Sequence, residues 1–161
     1  MKWIDFVINV QKWARERGIY EHSTPDAQLL KALSEVGELA DAYAKQDTDG
    51  VIDGIGDVLV CLVNHQTMVG GDTDAFQESI ASWGGGPAQN IGHMALSIGV
   101  YIGRDADCSH GLLPYMRTGL AFFADSMRID FESCLQAAWD AIKDRKGHMV
   151  AGGVFVKEVG E

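Results

Sequence analysis

Apolar residues recur at helical spacing along nearly the whole chain. Trp3, Phe6, Val7, Val10 and Trp13 keep the i, i+3, i+4, i+7 rhythm of one buried helix face, which predicts a helix over about 3–17 that Gly18 ends. Ser23, Thr24 and Pro25 form an N-terminal signal for a second helix, whose apolar side carries Leu29, Leu30, Leu33, Val36 and Ala40. The polar run QDTDG at 46–50 breaks the period, and a third helix is expected from about Val51 past Asn64 toward Gly70 and Gly71. It is apolar around most of its circumference, so it should lie at the centre.

WGGGP at 83–87 reads as a loop within one domain, because the first half alone would leave that central helix uncovered. Two further helices are predicted over about 88–102 and 112–127, and a last one over 130–146. Asp130 is placed to cap it, Glu132 lies in its first turn, and Lys143, Arg145 and Lys146 supply positive charge at its end before Gly147. MVAGGVFVKE beyond Gly147 reads as a short extended segment or hairpin. The expected fold is all-α, a helical bundle of four or more helices with a short extended C-terminal tail, forming a single domain over residues 1–161.

Composition narrows the function classes. A formal charge of -10 opposes broad contact with nucleic acid or an anionic membrane surface, both of which require clustered Lys and Arg. Apolar runs such as VLVCLV are too short to span a bilayer, and the amphipathic N-terminus lacks the features of a secretory signal. Cys61, Cys108 and Cys134 have no CxxC spacing and read as reduced thiols, which together with the missing signal gives a soluble, cytoplasmic expectation.

The chemistry concentrates in KALSEVGELADAYAKQDTDGVIDGIGDVLVCLVNH, residues 31–65. Glu35 and Glu38 fall about 60° apart on the second helix, with Gln28 and Lys31 nearby, and Asp53, Asp57 and Asn64 fall within about 40° on the third. If the QDTDG turn makes these helices antiparallel neighbours, the two acidic pairs face each other. Carboxylates buried together raise one another's pKa or require a cation, and Mg²⁺ suits an all-oxygen site that leaves positions for phosphate oxygens. The competing reading is a solvated acidic face, which suits Glu35 and Glu38 better than the stripe on a buried helix. A di-iron centre is disfavoured, since Glu-x-x-His pairs are missing.

SEVGELADAYAK and DGIGDVLVCLVN resemble the ExxE and ExxD helices of the MazG-like all-α nucleoside triphosphate pyrophosphohydrolases, and the stretches 24–42 and 137–158 are similar to the two ends of the compact phage and bacterial members. Position 54 departs from the pattern: the motif calls for Glu, and this chain has Gly54 with Asp53 one place earlier. The resemblance implies Mg²⁺-dependent hydrolysis of an NTP or dNTP to monophosphate and pyrophosphate, with Mn²⁺ as a substitute ion, in a nucleotide-pool or housecleaning role. Glu35, Glu38, Asp57 and Asp53 are the implied metal ligands. Glu38 is the general-base candidate, although base and ligand roles are not separable by sequence. Lys143 and Arg145 are implied phosphate contacts, or simply complete the helix dipole. Lys31 and Gln28 share the face of the Glu pair, Lys31 as phosphate ligand or ion-pair partner. Asn64 is either a sugar or phosphate contact or a satisfied buried amide, and Trp139 either stacks on a base or fills the core. The resemblance also implies a homo-oligomer, dimer or tetramer. The alternative is a non-catalytic nucleotide-sensing or protein-interaction bundle disabled at Gly54.

Overall fold

The computed structural model describes residues 1–75, 83–104 and 110–158. Within them the chain forms helices α1 (Trp3–Glu16), α2 (Ile19–His22), α3 (Pro25–Lys45), α4 (Thr48–Met68), α5 (Pro87–Tyr101), α6 (Leu112–Ser126) and α7 (Phe131–Ile142), followed by strands β1 (Gly147–Val150) and β2 (Val154–Lys157). The all-α expectation holds, and the extended tail is an antiparallel hairpin that pairs Gly147 with Lys157 and Val150 with Val154. Cys61 and Cys134 are free and buried, and Cys108 lies outside the described residues. No helix among the described residues is long and apolar enough to cross a membrane.

The ends of α3 and α4 follow from local chemistry. The Thr24 hydroxyl accepts from the Ala27 N–H at 3.1 Å, with Pro25 in the first turn of α3. Gln46 takes a left-handed conformation (φ 59°) that stops α3. The Asp47 carboxylate then accepts from the Gly50 N–H at 3.0 Å, so α4 begins at Thr48, earlier than the apolar period alone indicates. With only Gln46 and Asp47 between them, α3 and α4 are antiparallel neighbours.

α4 is the central element, packed by α3, α7, α6 and α1. Val58, Leu59, Leu62 and Val63 are wholly buried, in keeping with an apolar circumference. Two glycines let its neighbours approach. A Cβ on Gly56 would lie 2.4 Å from the Cβ of Ala138 in α7, and one on Gly54 would lie 3.0 Å from the Cβ and 3.1 Å from the Cα of Leu39 in α3. Position 54 therefore faces the α3 backbone.

Three features differ from the sequence reading. α2 is a single four-residue turn opened by Gly18 (φ 69°), too short to leave a periodic signal. α7 ends at Ile142, so Lys143, Arg145 and Lys146 follow the helix instead of riding its last turn. The reason lies at the C-cap of α1: Arg17 donates from Nε to the Arg145 carbonyl at 3.0 Å and from Nη2 to the Lys143 carbonyl at 3.2 Å, which satisfies this turn outside a helix. Trp83, in the glycine-rich loop, is fully buried and seated against Gly119 of α6, where a Cβ would meet its ring at 2.3 Å.

Candidate active site

A cavity of about 80 Å³ lies where α3 and α4 face the α1–α2 corner, the segment after α7 and the start of β2. Its lining includes Gln28, Lys31 and Glu35 of α3, Asp57 and Asn64 of α4, and Arg145 beyond α7. Six residues singled out by sequence thus meet at one place, from segments that are remote along the chain. Gln28, Lys31 and Glu35 follow one another at near-helical spacing, as do Asp57, Cys61 and Asn64, so each helix presents one stripe.

Glu35 is 5% exposed and forms an ion pair with Lys31 one turn earlier. Burial pulls the Lys31 ammonium toward neutrality, but its hydrogen bond to Glu35 and the charges of Glu35 and Glu38 carry it above the ordinary lysine value. Asp57 has no such partner among the described residues and is pushed up to about 6, first by burial and then by the negative charges of Asp53 and Glu35; Arg145 and Lys31 act in the opposite sense. Burial, and after it the charges of Glu35 and Asp57, push the Cys61 thiol upward, so it stays protonated. On the cavity wall two acids, Glu35 and Asp57, thus meet two cations, Lys31 and Arg145, while the charges of Asp53 and Glu38 act on them from outside the lining.

The polar groups around this wall are held in place. Gln28 donates from Nε2 to the Ser23 hydroxyl at 2.9 Å. The Tyr20 hydroxyl donates to Asn64 Oδ1 at 3.1 Å, which makes Asn64 a partly satisfied buried amide. Arg145 Nε is buried with no hydrogen-bond partner among the described residues. His65, next to Asn64, uses Nδ1 toward the Pro25 carbonyl at 3.2 Å, and burial lowers its pKa, so it is neutral.

Other predicted site residues lie elsewhere. Glu38 and Asp53 are exposed and do not line the cavity, although their charges reach Lys31 and Asp57 respectively. Lys143 is exposed and paired with Asp140 at 2.6 Å. Trp139 is partly buried and packs against the hydrophobic core. Among the described residues no three His, Cys, Asp or Glu side chains gather closely enough to enclose a metal ion. Sequence reasoning missed Trp13, Ile19 and Phe155, which complete the wall. Trp13 carried only a core signal, and nothing local to Phe155 announces that the hairpin folds back onto α1, where the two rings meet edge to face at 5.7 Å.

The fold and cavity define a class: an all-α bundle with acids from two antiparallel helices converging beside cations. Comparison with known proteins points the same way, since residues 23–80, which contain α3 and α4, match the MazG nucleotide pyrophosphohydrolase domain. The chain is also 42% identical over 55 residues to an uncharacterized 18.2 kDa protein encoded in the rep-hol intergenic region of Haemophilus phage HP1 (strain HP1c1). That match covers 34% of this chain and 34% of the phage protein, about a third of its length. No solved structure matches.

Proposed function

We propose that this protein is a divalent-metal-dependent nucleotide pyrophosphohydrolase that cleaves an NTP or dNTP to the monophosphate and pyrophosphate. The observation that carries the reading is the meeting of Glu35, Asp57, Lys31 and Arg145 in one cavity within the fold of a MazG-type segment. Two carboxylates suit Mg²⁺, which keeps several waters and is commonly bound by one or two acids together with substrate phosphates. Burial first, and then the charges of Asp53 and Glu35, raise Asp57, and a bound cation would favour its ionised form. Glu35 and Asp57 would hold the ion, with Asp53 and Glu38 adding negative charge from outside the cavity. Once bound, the metal supplies charge neutralisation on the triphosphate and a more acidic attacking water.

The chain's own residues do the rest. Arg145 lines the cavity with a guanidinium suited to phosphate oxygens, and Lys31 exchanges part of its bond with Glu35 for the same role. Gln28 and Asn64 orient the nucleotide, and Lys143 adds positive charge at the rim. Glu38 does not line the cavity, so the water whose proton it takes stands at the cavity's edge, about one turn of α3 from Glu35. A homo-oligomer and a cytoplasmic site of action belong to the same proposal.

A second reading, a nucleotide-binding module without turnover, is favoured by the lack of a three-ligand cluster among the described residues and by Gly54. One experiment separates the two: release of pyrophosphate and orthophosphate from a panel of NTPs and dNTPs with Mg²⁺ or EDTA. Metal-dependent pyrophosphate release is expected, and its loss by about 10²-fold or more is expected in Glu38→Gln with the helical circular dichroism spectrum intact. Nucleotide binding with no release from any nucleotide would sink the enzyme reading.

A further inference from the structure

The charges on the cavity wall are already matched. Lys31 and Glu35 form an ion pair one turn apart on α3, and Arg145, also in the lining, favours the ionised form of Asp57. The two members of the ion pair differ in freedom. The Glu35 side chain is 7% exposed and stays in the wall, whereas the Lys31 side chain is 44% exposed and carries its ammonium on a flexible four-carbon stem. The ammonium can therefore leave the carboxylate with no movement of α3. What holds it is the cost of a buried carboxylate left without a partner. Lys31 leaves only when another positive group takes its place at Glu35.

This inference rests on the reading that the cavity takes a divalent metal and a nucleotide. Glu35 and Asp57 fit the metal, since both are hard oxygen donors of the kind Mg²⁺ takes. A free ion nevertheless meets three obstacles. Among the described residues no third His, Cys, Asp or Glu joins these two closely enough to enclose it. Its charge is added to a wall whose two acids already face two cations. It must also take Glu35 from Lys31 while only water receives the ammonium. A triphosphate removes all three, because it supplies further oxygen ligands, brings negative charge and accepts the Lys31 ammonium. We infer that Lys31 is a specificity-determining residue that makes the cavity select a metal–nucleotide complex over the free metal ion, serving as counter-ion to Glu35 until triphosphate oxygens draw its ammonium away.

The test is binding, not turnover, and compares wild type with Lys31→Met. Free Mn²⁺, followed by electron paramagnetic resonance on nucleotide-free protein, should bind the variant about tenfold more tightly, the worth of one hydrogen bond between charged groups. The Mg²⁺ complex of inorganic triphosphate, followed by calorimetry, should bind it about tenfold more weakly. A purely structural role for Lys31 does not move the two affinities in opposite directions. Adding Glu35→Gln to Lys31→Met should cancel the gain for Mn²⁺, and Arg145→Met, which removes the same charge from the lining without touching the ion pair, should not reproduce it. Lys31→Gln, which keeps a hydrogen bond to Glu35, replaces Lys31→Met if that variant does not fold. Equal Mn²⁺ affinity in wild type and variant, an equal gain in Arg145→Met, or undiminished binding of the triphosphate complex overturns the assignment and leaves the metal-dependent reading standing. Mn²⁺ bound by neither protein, with or without triphosphate, removes that reading and the assignment with it.

Discussion

The fold opposes ionisation of Asp57, and that opposition has a sign in stability. Below the ordinary value of 3.8 the folded and unfolded chains both hold the proton; between 3.8 and about 6 the unfolded chain releases it first, so stability falls as pH rises, and the penalty is complete above about 6. In EDTA, Asp57→Asn should therefore raise the urea-unfolding free energy near about pH 7.5 by on the order of 1–3 kcal/mol and change little near about pH 4. An unchanged value at the higher pH would mean that the carboxylate is already balanced. Position 54 makes the opposite case. A side chain there starts 3.0 Å from the Leu39 Cβ, so Gly54→Glu should cost about 1–3 kcal/mol in urea titration and add no turnover. A gain in pyrophosphate release would show that the position reaches the cavity after all.

At the scale of elements, Arg17 connects three parts of the chain. It lies over Trp13 in α1 and donates to the carbonyls of Lys143 and Arg145, so the residue stacked on Trp13 also fixes the segment that brings Arg145 to the cavity. Arg17→Ala leaves the Arg145 side chain in place but frees its backbone. The expected outcome is a rise in KM for triphosphates of about tenfold, with kcat changed less, in steady-state kinetics. A fall confined to kcat would place Arg17 in the chemistry instead. The helices themselves need less explanation: a capped two-residue connection turns the chain back so that α4 packs along α3, and α4 is central because it is apolar on most sides.

For the whole molecule, binding to the native state adds stability according to mass action. Mg²⁺ with an unhydrolysable triphosphate at about 100 times its dissociation constant should add about 2.7 kcal/mol, seen as a raised melting temperature that EDTA reverses. Glu35→Gln should abolish the metal-dependent part of that shift, because Glu35 is the buried acid of the cavity. A full shift in the variant would move the metal to the outer carboxylates Glu38 and Asp53.

The all-α class, the central place of α4, the caps at Thr24 and Asp130, and the meeting of Gln28, Lys31 and Glu35 with Asp57 and Asn64 were legible in the sequence, because each depends on helical period or on a side chain bonding within its own turn. Periodicity fixes direction around one helix, and it could not say that Glu38, sharing a face with Glu35, stays exposed while Glu35 is covered. That depends on what packs over the face. Only the tertiary structure ended α7 at Ile142, where Arg17 claims the carbonyls beyond it, and only it carried Phe155 back to Trp13 to close the cavity. Those contacts join residues more than a hundred positions apart, and no local pattern encodes a partner at that distance.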